Sequence, residues 1–455
     1  MRKASIVAAC YLPALYCLVL GPMENKRAGL QVYKFGGASV KDAAAILNLK
    51  HIVETTAQGR PLLIVVSAMG KTTNALEEIF GLAYAGENYE NKVKHLKDFH
   101  WAAAFALSKE HAATEASSAE NLHDELDEHF EELDQNLADI NQRDSYDQQY
   151  DQIVSFGELL ASRLVAFALG LNQKTAWVDC RALIRTDRNW REGRVNWQVT
   201  EATVNKALPP LLAAGPVVTQ GFLGGTVRKA TTTLGREGSD YSAAIFAYCL
   251  RADAVTIWKD VPGLLNADPK LFPNTVLYPE ISYQETIEMA FYGASVIHPK
   301  TLKPLADRKI PLRVKSFLDP TAPGTLIHDC QHPPLAPAFI RKTGQCLLSL
   351  ESKDFAFISE ENLEVIFGAL AQARLKINVM QNSALSFSVC IDSEPTRLAQ
   401  AVATLRQQFV VHYNEGLTLF TIKNYTPASE AQLTKGRTLL LEQRTRSTFQ
   451  FLVRE

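Results

Sequence analysis

What this sequence lacks narrows it first. Its seven cysteines include no CxxC pair with spaced histidines, a pattern that points away from a structural zinc site and a disulfide framework and toward a reducing compartment. Charge of one sign is also missing: a formal net charge of −2 supplies no global pull toward nucleic acid or an anionic membrane. There is no GxxxxGK[ST] phosphate loop, and no dinucleotide fingerprint followed by a second large domain. Long linkers, coiled-coil heptads and low-complexity tracts are absent as well.

What is present is an ordinary folded protein of more than one domain. A chain of 455 residues with 47% hydrophobic and 21% charged residues exceeds what one hydrophobic core usually holds. The amino end is unusual: Arg2 and Lys3 precede a mostly apolar stretch over residues 4–20, broken by Pro13. It has the outline of a secretory signal but is short for a membrane span. Three readings stand: a dispensable extension with the true start at Met23, a targeting segment, or part of the fold. The nucleotide chemistry further along favours the first and a cytoplasmic protein.

From residue 31 onward the pattern is α/β. A short strand over 31–35 runs into Gly36-Gly37, a helix follows over 43–56, and residues 61–66 form an apolar run of strand length. Residues 91–146 are rich in helix formers and predict two helices. A helix over 153–169, strands over 175–178 and 216–220, a small-residue helix over 239–250 and a strand over 254–258 come next. Helices over 282–292 and 300–308 precede a last core strand at 311–314. The proline-dense segment 319–337 marks a boundary. Beyond it strands and helices alternate in small βαββ-like units. The organisation read from this is an amino-terminal extension (1–29), a catalytic α/β domain with a mostly parallel sheet (30–328) and a smaller α+β region (329–455).

Four polar turns follow strands, and in a parallel sheet such turns open at one edge. Lys34 followed by Gly36 and Gly37 offers a cation and backbone amides that can approach phosphate oxygens; a tight turn beside a surface lysine reads equally well in isolation. The run from Ser67 to Asn74 holds hydroxyls, Thr73 among them, suited to a carboxylate or phosphate. In the third turn Arg236 can clamp a carboxylate with two parallel donors. Ser239 and Asp240 follow at a helix start, where Asp240 caps the helix, binds an ammonium or organises metal. In the fourth, Asp260 lies near a nucleotide or its Mg²⁺ and Lys270 neutralises phosphate. Glu158, after Gly157, pairs with a substrate amine or simply opens a helix. Together the turns describe an anion- and nucleotide-handling site, hence a kinase acting on a small metabolite.

The runs KFGGASV (34–40), VVSAMGKTTN (65–74), SFGE (155–158), GREGSDYSA (235–243), KDVPGLLNADPK (259–270) and FYGASVIHPKTL (291–302) together resemble the aspartate kinases. The likeness covers residues 30–328, and the segment 367–389 looks like the ACT-type regulatory units of that family. The resemblance implies the amino-acid-kinase fold and transfer of phosphate from ATP, carried with Mg²⁺, to L-aspartate. That step opens the route to lysine and diaminopimelate, threonine, methionine and isoleucine. By position it assigns Lys34 to the transferring phosphoryl group, with Gly36 and Gly37 donating amides. Ser67 and Thr73 meet the reacting carboxylate of aspartate, Glu158 its amino group and Arg236 its α-carboxylate. Asp240 completes the polar site, and Ser239, Asp260 and Lys270 contact the nucleotide; no protein-held metal is implied.

The departures are Ala38 for a threonine, Leu265 for a tyrosine, Lys259 for a threonine, and Ser295 for a lysine whose charge Lys300 is placed to replace. Other amino-acid-kinase-fold enzymes lack the SFGE and GREGSDY combination, and a non-catalytic amino-acid sensor has no use for Lys34, Glu158, Arg236 and Asp240 together. The resemblance further implies a homodimer through ACT-like units and feedback by lysine or threonine. The effector-facing stretch is Asn378, Val379, Met380, Gln381, Asn382 and Ser383, which reads equally well as a hydrogen-bonded turn in an interface. No nucleic-acid or membrane partner is expected.

Overall fold

A computed structural model describes residues 29–454 apart from 58, 110–115, 295–296, 333–334 and 355. The amino-terminal stretch and Ser295 therefore lie outside the described residues. The chain builds two main sheets. The first takes β1 (Gln31–Phe35), β2 (Leu62–Val66), β3 (Ala176–Val178) and β4 (Val217–Gln220); a separate hairpin of β5 (Leu223–Gly225) and β6 (Thr231–Thr233) follows. The first sheet then gains β7 (Ala254–Lys259), β8 (Glu280–Ser282), β9 (Leu312–Ser316) and β10 (Thr325–His328). Its order is β3-β4-β2-β1-β7-β9-β10-β8, parallel except where β10 meets β9. Every residue of β2 is buried, as an inner parallel strand covered by helices on both faces must be.

Register fixes where the turns emerge. Phe35, the last residue of β1, pairs with Val66 of β2 and with Trp258 of β7, and Val66 pairs with Gln220 of β4. Four neighbouring strands thus end along one line, and the turns at Gly36, Ser67, Gly221 and Asp260 leave from the same carboxyl edge. Packing beneath is dense: the Phe35 and Trp258 rings stack with centroids 5.9 Å apart.

Several elements differ from the sequence expectation. The helix expected over 153–169 is two helices, Tyr146–Val154 and Phe156–Gly170, meeting at Ser155. Together they form the most apolar helical stretch, and it lies buried within the protein. The helix Trp197–Ala214 was not anticipated; Pro209 and Pro210, which normally end a helix, sit within it. Strand β9 is not the last of its sheet, because β10 returns antiparallel to it out of the proline-dense segment.

The second sheet comprises β11 (Ala338–Ser352), β12 (Ile377–Asn382), β13 (Ser386–Asp392), β14 (Phe409–Lys423), β15 (Leu439–Arg444) and β16 (Thr448–Arg454), in the order β12-β13-β11-β14-β16-β15. It is antiparallel throughout. The helices Glu360–Gln372 and Pro395–Leu405 bury one side of it, around Leu348, Ile366 and Leu405. It meets the first sheet through Phe339, whose N–H donates to the Asn266 carbonyl at 2.7 Å and whose ring stacks on Phe272. Lys423, its side chain only 4% exposed, reaches Glu288 at 2.6 Å and Glu285 at 3.5 Å on the helix Tyr283–Phe291. Removing one partner of a buried ion group leaves uncompensated charge. Lys423→Met is therefore expected to destabilise the junction by about 2 kcal/mol, the half-exposed Glu288 keeping the cost below the fully buried range. Thermal unfolding that begins several degrees earlier in Lys423→Met than in the parent checks it.

Candidate active site

The carboxyl edge of the first sheet opens into a cavity of about 740 Å³. Lys34 enters it from β1, buried, with its Nζ 2.6 Å from Asp240 Oδ1. The other oxygen of Asp240 lies 3.6 Å from Lys259 Nζ at the end of β7. Burial pushes the Asp240 carboxyl upward, but Lys34 and Lys259 outweigh it and hold the group below the usual carboxylate range. Asp240 is therefore ionised, with an ammonium group against each oxygen. That arrangement suits positioning two lysines rather than ligating a metal.

Asp240 and Ser239 sit in the first turn of the helix Gly238–Leu250, whose amino end faces the cavity. Gly221 permits this: a Cβ there would stand 2.6 Å from Ser239 Cβ. Gly37 has a similar role, since its Cβ would meet the Ala68 carbonyl at 2.9 Å, so the first and second turns can pack only around glycine. Gly37 lines the cavity together with Ser67 and Thr73, whereas Gly36 stands just behind, with the Lys34 ammonium 3.6 Å from where its Cβ would be.

Glu158 opens the helix Phe156–Gly170 and is buried at the cavity wall. Its Oε1 accepts the Ala68 N–H at 3.1 Å, while Oε2 has no hydrogen-bond partner among the described residues. Burial raises its pKa to about 8, against the opposing pull of the Ala68 N–H and the Lys34 charge. Protonation of Glu158 thus favours the folded state at low pH, and that contribution fades as pH rises through about 8. A buried carboxylate oxygen without a donor is a site prepared for a cation.

Arg236 lines the same cavity. Beside it stands Arg191, which the sequence reading passed over; its guanidinium lies 4.1 Å from the Tyr150 ring centroid and its N–H donates to Asp151 at 2.9 Å. The residue adopts φ 64°, so the loop is fixed in an uncommon conformation. The Arg-rich composition of residues 185–194 was the available signal, but no periodicity marked it.

A second cavity of about 310 Å³ adjoins the first, with Lys259 lining both. Asp260, Lys270 and Leu265 lie in it, as does Phe339 of β11. The structure therefore brings Lys34, Gly37, Ser67, Thr73, Glu158, Arg236, Ser239 and Asp240 into one cavity, with Asp260 and Lys270 next door. Ala38 is exposed in the turn Gly37–Val40. Lys300 lines neither cavity, whereas Lys259, which reads as a mere departure in the sequence, occupies the junction. Residues 378–383 belong to the second sheet and line neither cavity; there the Asn378 amide donates to Gln345 at 2.7 Å and to Asp392 at 2.9 Å.

Chemically, the first cavity, the roomier of the two, can hold a small zwitterion with two carboxylates together with phosphate groups between Lys34 and Lys259, and the second can take the remainder of the ligand that bears those phosphates. Residues 29–316 match the model of the amino acid kinase family. Lysine-sensitive aspartokinase 3 of Escherichia coli is 34% identical over 80% of this chain and 78% of its own length. Chloroplastic aspartokinase 1 of Arabidopsis thaliana is 30% identical over 90% of this chain and 69% of its own. Among solved structures, E. coli aspartokinase III in complex with aspartate and ADP (R-state) is 30% identical and superposes with TM-score 0.80, covering 93% of this chain and 96% of that one. The same enzyme in complex with lysine and aspartate (T-state), 29% identical, gives 0.76 over 94% and 96%.

Proposed function

The chain belongs to the amino acid kinase family, in its aspartokinase branch, and from that membership we propose how its paired cavities carry out the reaction. The activity is transfer of the γ-phosphoryl group of ATP to the side-chain carboxylate of L-aspartate, giving ADP and 4-phospho-L-aspartate. The observation that carries the site assignment is the convergence of Lys34–Asp240, Glu158 and Arg236 on one cavity beside a second cavity joined to it at Lys259.

Aspartate lies in the first cavity with its ammonium on Glu158 Oε2, its α-carboxylate on Arg236 and its reacting carboxylate near Ser67 and Thr73. The nucleotide occupies the second, with Asp260 and Lys270 beside it and its phosphates directed past Lys259 toward Lys34, Gly37 and Ser239. Aspartate already presents a carboxylate at neutral pH, so no strong base is required. An oxygen of that carboxylate attacks Pγ as the bond from Pγ to the β–γ bridging oxygen breaks, and the electron pair leaves on ADP. The chain's task is to hold two anions together and to spread the charge of the transferring group over Lys34, Lys259 and the amides of the helix start. Asp240 aims both ammonium groups. Mg²⁺ travels with the nucleotide and neutralises its phosphates.

The test is ADP release by purified protein with Mg-ATP and L-aspartate, with hydroxylamine trapping of the acyl phosphate in parallel. ADP and hydroxamate formed only with aspartate support the reading; a folded protein that forms neither overturns it. Glu158 gives a second check. A group held near pKa 8 must lose its proton to pair with the aspartate ammonium. Aspartate binding at pH 7 is therefore expected to release close to one proton and to tighten as pH rises toward 8. Calorimetry in buffers of different ionisation enthalpy measures that proton, and in Glu158→Gln it should vanish.

For regulation, the reading is a homodimer that lysine inhibits through the second sheet. Strand β12 lies at a sheet edge and exposes Met380, with Leu385 and Phe357 exposed close by at the hairpin end. An edge strand with apolar side chains is suited to pairing with a second copy. A route to the site exists in β11, whose Phe339, Ile340 and Arg341 form part of the second cavity wall. Lysine should inhibit the kinase where threonine does not, and Met380→Asp should lower the mass measured by light scattering from dimer toward monomer.

A further inference from the structure

Away from both cavities, Glu280, His328 and Cys330 bring a carboxylate oxygen, an imidazole nitrogen and a thiol within 4.8 Å of one another. We propose that these three side chains bind one divalent ion of the zinc class at the edge of the first sheet. The backbone accounts for the cluster. His328 ends β10, and after the bend at Asp329 the Cys330 thiol comes back beside it. Strand β8 runs parallel alongside, with Glu280 opposite Leu326 and Ser282 opposite His328. Leu326 shares parity with His328, which places Glu280 on the same face as the imidazole. The side chains already interact, since His328 Nε2 and Glu280 Oε1 are hydrogen-bonded.

The donor set selects the ion. A tetrahedral site with metal–ligand bonds near 2.0–2.3 Å needs its ligand atoms roughly 3.3–3.8 Å apart, so the His328–Glu280 contact opens to admit the ion in place of their hydrogen bond, while the thiol, within 4.8 Å of both, closes in by about an ångström at most. His328 and Glu280 are partly exposed, 30% and 48%, so they can turn that far without disturbing the core. One thiolate, one imidazole and one carboxylate suit zinc or cobalt, whereas magnesium prefers oxygen ligands and water. The site is thus chemically separate from any magnesium that accompanies a nucleotide. Water fills the fourth place. A CxxC search overlooks such a set because one ligand comes from a strand far away in sequence.

Position gives the site its consequence. Cys330 begins the connection that leads to β11, and Glu280 begins the strand that leads into the helix holding Lys423. An ion here pins the start of that connection to the sheet edge, at the junction between the two sheets.

The experiment is a Co²⁺ titration of the full-length protein after chelator treatment and under reducing conditions. The expected result is one equivalent per chain, a thiolate-to-cobalt charge-transfer band, strong visible bands of four-coordinate cobalt, and displacement by Zn²⁺. Cys330→Ser should remove the charge-transfer band, and His328→Ala and Glu280→Gln should weaken binding by roughly tenfold or more. A variant in which both cysteines of the amino-terminal stretch, Cys10 and Cys17, become serine should keep the band. Kinase turnover with Mg-ATP near the parent value shows that the Cys330, His328 and Glu280 variants are folded. Absence of a thiolate band at one equivalent, or its survival in folded Cys330→Ser, overturns the proposal.

Discussion

Lys34→Met is expected to lower kcat by about 10³-fold while changing the aspartate affinity by less than about threefold. Loss of a single preorganised donor at developing negative charge costs 10²–10³ in rate, and here the donor carries a full charge in a buried setting. The lysine is assigned to the transferring phosphoryl group, whereas Glu158 and Arg236 are assigned to the amine and α-carboxylate, so ground-state binding of aspartate has little reason to suffer. A structural explanation must be separated from this one. Removing Lys34 leaves Asp240, buried and ionised, with Lys259 as its remaining ion-pair partner, and unpairing a buried charge is itself destabilising. The double variant Lys34→Met/Asp240→Asn removes that charge. It should regain most of the lost thermal stability and none of the lost turnover. If the double variant recovers activity along with stability, the lysine is a scaffold and the phosphoryl role assigned to it is wrong.

How far the sequence reveals the fold depends on where the physical signal is local. The buried run at 62–66 and the Asp42-capped helix Ala43–Thr56 carry periodicity, capping and apolar content in a short window, and both form as expected. The helix Trp197–Ala214 carries a contrary local signal in Pro209-Pro210. It forms because Val204, Leu208 and Leu212 bury one face, a tertiary gain that a window of residues does not display. Strands β11 and β14 span Ala338–Ser352 and Phe409–Lys423, longer than strands of the small βαββ-like units expected there. Register shifts after Lys342 and after Gln345, with Gly344 at φ 65° and Gly416 at φ 69°, let each strand bend and serve both halves of the sheet. Bends of this kind interrupt the alternation by which strands are read.

In the site, chemistry was legible and distance was not. Glycine pairs, a lysine and an arginine at strand ends declare anion binding wherever they stand. Nothing in the chain order says that Lys34 and Asp240 come within 2.6 Å; that follows from the parallel register of β1 with its neighbours. The same limit hid Lys259. As a substitution for threonine it reads as a loss of a hydroxyl, and only the fold shows it between the two cavities with Asp240 beside it. Arg191 was hidden differently, because its loop is ordered by Asp151 and Tyr150 and by no pattern of its own.

Arg236→Ala is expected to raise the aspartate KM by about 10²-fold, with kcat within about fivefold and the ATP KM unchanged. A guanidinium binding a carboxylate through two charge-assisted hydrogen bonds is worth roughly 1.5–3 kcal/mol in this setting, and 2.7 kcal/mol corresponds to about 10²-fold. The α-carboxylate does not react, so its binding energy is the same in ground and transition states and appears in KM. The residue has freedom to do this, being exposed on its loop at the cavity mouth after Gly235 at φ 77°. Arg191 on the same rim offers a competing guanidinium, so the KM effect alone does not identify the contact. β-Alanine does, because it is aspartate without the α-carboxylate and keeps both the amine and the reacting carboxylate. The parent enzyme should prefer aspartate over β-alanine by about 10²-fold in kcat/KM, and Arg236→Ala should reduce that preference to within a few-fold while leaving the rate with β-alanine nearly untouched. If the preference survives in Arg236→Ala and collapses in Arg191→Ala, the clamp belongs to Arg191. Retention in both variants would place the α-carboxylate elsewhere in the cavity and reverse the orientation assigned to the substrate.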